Sequence, residues 1–297
     1  MLNGSVQPKK KIVGVIGAGS FGTAVANLLA SNVDVLLFSR QAALVEQINQ
    51  THKNLDIELS SRIQATDDLQ EIAERCTVIF PIVPSVSFRS MIRNLSPYLH
   101  PYHILIHGTK GFDLKNIDES NLKAATIRPE NVYTMSDVIM EESVVVRIGC
   151  LAGPNLSSEI MAGLPTATVI GSRFSEVIKT GRRLLDSSRF HVFGTYEIRG
   201  AELAGALKNA IAIGSGVLGG KGMGKNIQAM LITRGLMEMV YFGKAMGASS
   251  KAFIGTAGIG DLVATATSKQ SRNYTLGVRL AKGETLAEIS ANMPELA

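Results

Sequence analysis

The sequence predicts an α/β protein in which an N-terminal doubly wound sheet is followed by an all-helical C-terminal domain. Strand and helix patterns alternate through the first half of the chain. The strand-like runs are apolar on both faces, as a parallel sheet covered on both sides requires. From Tyr196 onward the patterns are long and helical. We therefore expect two domains, residues 1–192 and residues 193–297.

The expected elements of the first domain follow one another in a regular order. The strand-like runs are KIVGVIG (11–17), VDVLLF (33–38), CTVIFPIV (76–83), HILIHG (103–108), VVVRIGCLAG (144–153), TATVIG (166–171) and RFHVFG (189–194). Helical stretches are expected near residues 20–31, 40–50, 67–75, 85–95 and 174–186, and in the second domain near 196–217, 227–246 and 273–282. Strands separated by helices in this way indicate βαβ units.

Composition and charge exclude several classes of function. With 45% hydrophobic and 19% charged residues, the 297-residue chain has enough apolar material for folded cores. The net charge of +5 comes from scattered basic residues, so no nucleic-acid platform is expected. Cys76 and Cys150 lie in apolar runs without metal-ligand spacing, which predicts no metal site and a reducing, cytoplasmic location.

No membrane insertion is expected from the sequence. The N-terminal stretch MLNGSVQPKKK is polar and does not look like a signal peptide. The most apolar run, residues 203–220, contains Lys208 and Asn209. A buried helix explains that run better than a membrane span does.

Three glycines follow the first expected strand. Gly17 allows a tight turn, Gly19 lets the backbone approach a pyrophosphate, and Gly22 permits close packing of the helix on the strand. The N-terminus of the following helix supplies N–H groups for phosphate. The pattern favours a Rossmann-type dinucleotide site, with a glycine turn that binds no ligand as the alternative.

The end of the second expected strand indicates which dinucleotide is bound. Sites that prefer NAD usually place Asp or Glu there, whereas this strand ends with Ser39 and Arg40. An arginine can pair with the 2′-phosphate of NADPH, which a carboxylate would repel. The sequence therefore favours NADPH over NADH, and the alternative is a solvated surface arginine.

One lysine in the second half occupies an unusual environment. Lys208 lies in GAELAGALKNAIAIGSGVLGG, where Glu202 is the only other charged residue. Burial lowers the pKa of a lysine toward values useful in proton transfer. Lys208 is thus a candidate acid/base, with Asn209 as an adjacent hydrogen-bonding group. The alternative is an ordinary solvated lysine.

Two further segments carry candidate binding residues. In GDLVATATSKQSRN, Asp261 is followed by the consecutive donors Ser271, Arg272 and Asn273, and arginine matches phosphate oxygens. In GTKG, Lys110 follows an expected strand, where ligands bind in open α/β sheets. A glycine-rich loop with an ordinary helix cap is the alternative for the first segment.

These residues together resemble the bacterial NAD(P)-dependent sn-glycerol-3-phosphate dehydrogenase family. The matching motifs are GAGSFGTA (17–24), VPSVSFR (83–89), GTKG (108–111), AGPNLSSE (152–159), ELAGALKN (202–209), ITRG (232–235) and GDLVATATSKQSRN (260–273). They occur in the family's order from residue 11 to about residue 283. The combination of ELAGALKN with GDL and SRN is the most specific to this family.

The resemblance implies the activity and the role of each matching residue. It implies reversible reduction of dihydroxyacetone phosphate to sn-glycerol 3-phosphate for phospholipid synthesis, by a homodimer. The implied catalytic residues are Lys208, Asp261 and Lys110. The implied cofactor contacts, besides the three glycines, are Ser20, Phe21, Arg40, Lys110, Ser157 and Arg272. The implied substrate contacts are Lys110, Gly153, Asn155, Lys208, Asn209, Asp261, Ser271, Arg272 and Asn273.

The sequence departs from the family pattern in two places. Family members usually continue for a few dozen residues past the position of Ala297, with a helix and a glutamate that touch the cofactor, so the second domain is shorter than usual. The family also usually has acids at the positions of Gly219 and Lys225. Two alternatives therefore stay open: a non-catalytic NADPH-binding relative, and another two-domain hydroxyacid-type dehydrogenase.

Overall fold

The computed structural model describes residues 12–117 and 126–293. The polar N-terminal stretch, Lys11 of the first expected strand and the last four residues lie outside the described residues.

The strands of the described chain form one large sheet and two small two-stranded sheets. In chain order they are β1 (Ile12–Ile16), β2 (Asp34–Phe38), β3 (Lys53–Asn54), β4 (Ile57–Glu58), β5 (Ile63–Thr66), β6 (Cys76–Pro81), β7 (Ile104–His107), β8 (Asp113–Leu114), β9 (Val132–Tyr133), β10 (Arg147–Ala152), β11 (Thr166–Ser172) and β12 (Phe190–Thr195). The large sheet has eight strands in the order β12-β11-β10-β7-β6-β1-β2-β5. The other strands pair as β3 with β4 and β8 with β9.

The helices alternate with the strands and then continue alone. In chain order they are α1 (Ser20–Ala30), α2 (Ala42–Thr51), α3 (Leu69–Arg75), α4 (Ser85–Leu95), α5 (Met135–Glu142), α6 (Ser157–Met161), α7 (Ser175–Leu185), α8 (Ile198–Gly220), α9 (Gly224–Ala245), α10 (Lys251–Ile254), α11 (Asp261–Thr267), α12 (Arg272–Ala281) and α13 (Leu286–Asn292). A π-helical turn, Thr256–Gly260, leads into α11. The predicted doubly wound sheet followed by helices is confirmed.

Each face of the sheet is covered by its own hydrophobic core. On one face α1, α2 and α7 pack on the sheet through residues such as Leu29, Ile48 and Leu184. On the other face α3, α4, α5 and the start of α8 do the same, with Phe88 and Ile198 among the buried side chains. Because both faces are covered, the central strands are apolar on both sides, which is the pattern seen in the sequence.

The sheet is mixed, and this differs from the parallel sheet that the sequence suggested. β11 runs antiparallel to β10, whereas β12 is again parallel to β11. Only the five-residue helix α6 lies between β10 and β11, and a parallel crossover usually needs a longer helix. The chain therefore reverses there, and α7 provides the crossover to β12.

Several short elements were not predicted from the sequence. Strand β5 lies at the sheet edge and is only four residues long, with Gln64 exposed. Helix α5 begins with a capping box formed by Thr134 and Asp137, a signal that was overlooked. Strand β10 begins at Arg147 rather than at residue 144, and the side chains of Val144 and Val146 just before it are exposed.

The helical part is organised around α8, which packs on α9, α11 and α12. Glycines let α8 and α12 approach each other: a Cβ on Gly216 would lie 2.0 Å from the carbonyl oxygen of Tyr274, and one on Gly277 would lie 2.0 Å from that of Ile213. This contact places the N-terminus of α12 beside the middle of α8.

Among the described residues, α8 alone has the length and hydropathy of a membrane span. It also carries the buried polar residues Glu202, Lys208 and Ser215. Its contacts with the sheet and with three other helices identify it as a core helix.

Candidate active site

The turn between β1 and α1 is shaped by its glycines. Gly17 has φ +118°, and a Cβ there would lie 2.1 Å from the carbonyl oxygen of Ile82. A Cβ on Gly22 would lie 1.9 Å from the carbonyl oxygen of Gly17. A Cβ on Gly19, by contrast, would have nothing within 4 Å. The turn is therefore closed on the protein side and open at Gly19, so that a ligand could approach the backbone there.

A cleft of about 920 Å³ opens in front of this turn, at the carboxyl ends of β1, β2 and β6. Gly17, Gly19, Ser39 and Arg40 contribute to its lining. Its size and position fit a dinucleotide, because ligands of open α/β sheets bind outside the carboxyl ends of the strands. Arg40 is exposed in this lining at the end of β2.

The next two predicted cofactor residues lie at the start of α1. Ser20 is its first residue. The ring of Phe21 reaches across to the GTKG segment, where a Cβ on Gly108 would lie 2.9 Å from its Cε1 atom. The glycine turn and the segment that carries Lys110 are thus in contact.

Sequence reasoning missed a residue that supports the turn. The Nδ2 group of buried Asn54 donates to the carbonyl oxygen of Ala18 and to Oγ1 of Thr23, both at 2.8 Å. These bonds hold the turn against the first helix. No sequence signal marked Asn54, because its partners are more than thirty residues away in the chain.

Lys110, Lys208 and Asp261, here called the lysine cluster, come together where the sheet meets the helical part. Nζ of Lys208 donates to Oδ1 of Asp261 at 2.5 Å, and Nζ of Lys110 donates to Oδ2 at 2.7 Å. The exposed side-chain fractions are 6% for Lys208, 1% for Asp261 and 20% for Lys110. Two ammonium groups therefore share one buried carboxylate.

Two further groups complete the hydrogen bonds of the lysine cluster. Oγ1 of Thr265 accepts from Nζ of Lys208 at 2.5 Å, and the carbonyl oxygen of Gly153 accepts from Nζ of Lys110 at 2.9 Å. Gly153 was predicted, whereas Thr265 was not. Thr265 lies four residues after Asp261 on α11, so helical spacing alone could have identified it.

The pKa of Lys208 is lowered to about 7. Burial is the largest cause, and the positive charge of Lys110 adds to it, while Asp261 opposes both. Near neutral pH the amine can therefore either give or take a proton, as a general acid/base must.

Four of the other predicted substrate residues, Asn209, Ser271, Arg272 and Asn273, lie around the N-terminus of α12. Nδ2 of Asn273 donates to Oδ1 of Asn209 at 2.8 Å, which joins α12 to the position after Lys208. Arg272 is the first residue of α12. Oγ of Ser271, the N-cap residue, accepts from the backbone N–H of Tyr274. A helix N-terminus beside an arginine and two amides is suited to binding an anionic group.

Asn155 lies in the loop between β10 and α6, just before Ser157. Nδ2 of Asn155 donates to Oγ1 of Thr168 at 3.0 Å, while its buried Oδ1 has no partner among the described residues. Ser157 begins α6. The next residue, Ser158, donates to Gln270 at 2.8 Å, so this loop is tied to the segment that precedes α12.

In a comparison with known proteins, both halves of the chain match models of the same family. Residues 12–178 match the family model described as NAD-dependent glycerol-3-phosphate dehydrogenase N-terminus, and residues 197–297 match the model of its C-terminus. A protein named glycerol-3-phosphate dehydrogenase (NAD(P)+) from Acinetobacter baumannii is 38% identical over 288 residues, which is 95% of this chain and 76% of that protein. One with the same name from Oleidesulfovibrio alaskensis is 38% identical over 291 residues, covering 95% of this chain and 83% of that protein.

The fold agrees with solved structures of similar proteins. The glycerol-3-phosphate dehydrogenase structure from Coxiella burnetii superposes with a TM-score of 0.86 at 31% identity, covering 97% of this chain and 85% of the other. The corresponding yeast structure gives a TM-score of 0.80 at 23% identity, covering 97% of this chain and 86% of the other. At that identity the yeast structure supports the fold alone.

Proposed function

The chain belongs to the NAD-dependent glycerol-3-phosphate dehydrogenase family, and from this premise we propose how its residues perform the family's reaction. The protein is an NAD(P)-dependent oxidoreductase that reduces dihydroxyacetone phosphate to sn-glycerol 3-phosphate and runs the reverse oxidation. The product serves glycerophospholipid synthesis. The observation that carries the proposed mechanism is the pair of lysines sharing Asp261.

The residues around the β1–α1 turn would hold the cofactor. Gly17, Gly19 and Gly22 shape the turn, and the N-terminus of α1, which begins at Ser20, would bind the pyrophosphate. When bound, the reduced nicotinamide supplies the hydride for the ketone carbon. Phe21 contacts the segment that leads to Lys110, and we assign Asn155, Ser157 and Arg272 to the nicotinamide end of the same site.

Arg40 is the proposed basis of a preference for NADPH. It lies in the cleft lining at the end of β2, where the ribose 2′-group of a dinucleotide is read. Its guanidinium can form charge-assisted hydrogen bonds to a 2′-phosphate.

Lys208 acts as the acid in reduction and as the base in oxidation. As an ammonium it polarises the carbonyl oxygen at C2 and donates a proton to that oxygen as negative charge develops there. As a neutral amine it accepts the proton of the secondary alcohol in the reverse direction. Thr265 helps to orient its Nζ atom.

Asp261 and Lys110 set the charge around the reacting oxygen. Asp261 holds both Nζ atoms in place through its two oxygens. With both lysines protonated the lysine cluster carries one net positive charge, which favours a developing oxyanion in a poorly solvated site. Lys110 also contacts the carbonyl oxygen of Gly153, next to the loop proposed to flank the cofactor.

The substrate phosphate binds away from the reacting carbon. We assign it to Asn209, Ser271, Arg272 and Asn273 at the N-terminus of α12. Binding energy gained there orients the ketone against the lysine cluster.

The mechanism is tested by Lys208→Ala, with Lys179→Ala as a control on the exposed side of α7. We expect Lys208→Ala to lower ketone-dependent NADPH oxidation by about 10³-fold while the Kd for NADPH stays within about twofold. Lys179→Ala should behave as the wild type. Retained turnover in Lys208→Ala, or loss of its NADPH binding, would contradict the assignment.

We propose that the two domains meet just after β12. The predicted boundary between residues 192 and 193 falls within this strand, which spans Phe190–Thr195 and pairs with β11. A boundary after Thr195 keeps the sheet whole and leaves α8 to α13 in the second domain.

We also propose a cytoplasmic homodimer that is formed through α9. Met230, Met237 and Tyr241 occupy one stripe of this helix and are 57%, 43% and 65% exposed, and such stripes mark interaction surfaces. Light scattering of the wild type and of a Met230→Lys/Tyr241→Lys double variant tests this: a dimer that becomes a monomer is expected, and an unchanged mass contradicts it.

A further inference from the structure

We propose that His107 is a positioning residue for Lys110, acting through a hydrogen bond to the buried carboxylate of Glu202. The inference rests on the role proposed for Lys110 in catalysis. It concerns a hydrogen-bonded network behind the lysine cluster that neither contacts the cofactor cleft nor belongs to the substrate residues assigned above.

One carboxylate joins three elements of the fold. Glu202 on α8 has a side chain that is 4% exposed. Its Oε1 atom accepts from Nε2 of His107 at 2.9 Å and from the backbone N–H of Ser136 at 2.8 Å. Its Oε2 atom accepts from Oγ of Ser136 at 2.5 Å. The end of β7, the start of α5 and the first half of α8 are thereby held at fixed distances.

Glu202 remains an anion in this setting. Burial raises the pKa of its carboxyl group, but the hydrogen bonds from His107 and Ser136 outweigh burial and leave the pKa below its usual value. The position at the N-terminus of α5 also favours a negative charge. An ionised acceptor makes these hydrogen bonds stronger than neutral ones.

The imidazole ring of His107 makes one hydrogen bond within the described chain, from Nε2 to Glu202. Its ring is 2% exposed, and its Nδ1 atom is buried without a hydrogen-bond partner among the described residues. The edge of the ring packs on Phe88, with the ring centres 5.8 Å apart. The bond from Nε2 to Glu202 therefore fixes where the last residue of β7 lies relative to α8.

The position of His107 relative to α8 determines where Lys110, three residues further along the chain, can place its Nζ atom. The aliphatic stem of Lys110 passes α8 at Gly205, where a Cβ would lie 3.5 Å from its Cγ atom. Gly205 lies about one helical turn after Glu202. The same face of α8 thus holds the end of β7 through Glu202 and guides the lysine stem to Asp261. A shift at His107 moves Nζ of Lys110 away from the shared carboxylate.

His103 provides a control at the opposite end of β7. It immediately precedes β7, is fully buried, and its Nε2 atom hydrogen-bonds to the carbonyl oxygen of Ala73 at 2.9 Å. His103 and His107 thus mark the two ends of β7 with similar burial and one Nε2 hydrogen bond each, and Nδ1 of His103 also accepts from the backbone N–H of His100 at 2.8 Å. Only His107 lies at the end that leads to Lys110.

The test compares kcat for ketone reduction and Tm in His107→Leu, His107→Asn, His107→Gln and His103→Leu. The glutamine amide can reach Glu202 in place of Nε2, whereas the asparagine amide is one methylene shorter. We expect kcat to fall about 10- to 100-fold in His107→Leu and His107→Asn, because small misplacements of catalytic groups cost this much. His107→Gln should recover kcat to within about threefold of the wild type, and His103→Leu should lower Tm without lowering kcat.

A merely structural role predicts a different outcome. In that case all four variants lower Tm, and kcat per folded molecule stays near the wild-type value, which would overturn the inference. If His107→Leu does not fold, the comparison of His107→Asn with His107→Gln decides the matter on its own.

Combination with Lys110→Met separates this inference from the proposed function. If His107 acts through Lys110, adding His107→Asn to Lys110→Met should lower single-turnover rates by less than about twofold further. A full additional loss means that His107 acts elsewhere, and the inference fails while the role of Lys110 stands. If Lys110→Met alone leaves turnover intact, the proposed role of Lys110 fails first.

Discussion

The cofactor cleft and the lysine cluster lie in one molecule but are built in different ways. The cleft is shaped by backbone: Gly17 and Gly22 close the turn, and the space at Gly19 is open. The lysine cluster is made of charged side chains that are buried or partly buried, and burial and the charge of Lys110 lower the pKa of Lys208. A change in the cleft should therefore act on binding, and a change in the lysine cluster on turnover and pH dependence.

Removal of the shared charge should give the largest effect. In Asp261→Asn two buried ammonium groups lose their counter-ion, and breaking a buried ion pair costs about 3–5 kcal/mol. We expect kcat to fall by about 10³-fold and Tm to fall as well, with NADPH binding retained by the folded fraction. Stopped-flow rates, calorimetry and cofactor titration measure the three quantities.

Glu176→Gln is the control for Asp261→Asn, because Glu176 pairs with Arg147 at 3.2 Å on the surface with 58% of its side chain exposed. It should change neither kcat nor Tm appreciably. Wild-type turnover in Asp261→Asn would contradict the claim that the lysine cluster, unlike the cofactor cleft, controls turnover.

Two alanine substitutions in the cleft should distinguish an effect on stability, measured as Tm, from an effect on the Kd for NADPH. In Gly22→Ala the new methyl group collides with the carbonyl oxygen of Gly17, so that we expect a lower Tm and a Kd for NADPH raised by about 100-fold. In Gly19→Ala the methyl group enters open space. Tm should then be unchanged while Kd rises about tenfold, because the pyrophosphate loses its close approach to the backbone.

Thermal unfolding and fluorescence titration measure the two effects. If Gly19→Ala binds NADPH with the wild-type Kd, the cofactor does not occupy the open space at Gly19, and the proposed role of this glycine is contradicted.

Arg40→Ala should give the most restricted effect, because it should concern only the choice of cofactor. Loss of one guanidinium–phosphate contact should raise KM for NADPH by about tenfold and leave KM for NADH unchanged. Arg62→Ala serves as the control, because Arg62 pairs with Asp34 outside the cleft lining. Equal changes for both cofactors would show that Arg40 does not read the 2′-phosphate.

The fold was predicted from the sequence wherever local pattern determines it. Periodicity predicted the long helices α8 and α9. Continuous apolar runs predicted the strands β1, β2, β6 and β7, which are covered on both faces. The antiparallel position of β11 and the short edge strand β5 depend on contacts between distant segments. No local pattern carries that information.

The site was predictable to the extent that its residues stand out in their own segments. Lys208 was recognisable because a lysine among apolar neighbours is unusual. Thr265 was missed although its position four residues after Asp261 on α11 places it on the same helix face, and its contact with Lys208 appears only in the fold. His107 and Glu202 could not be paired from sequence, since a bond between residues 95 positions apart appears only in the fold.

The pH dependence of single-turnover rates in both directions tests the central claim most directly. Because burial lowers the pKa of Lys208 to about 7, its ammonium is lost as pH rises above 7. Above that pKa, the rate of dihydroxyacetone phosphate reduction should decrease with rising pH, with a slope that approaches tenfold per pH unit. Below that pKa, the rate of glycerol 3-phosphate oxidation should decrease with falling pH with the same limiting slope. Crossing profiles with a shared midpoint near pH 7 are predicted. Rates that stay flat from pH 6 to 9 in both directions would contradict Lys208 as the acid/base.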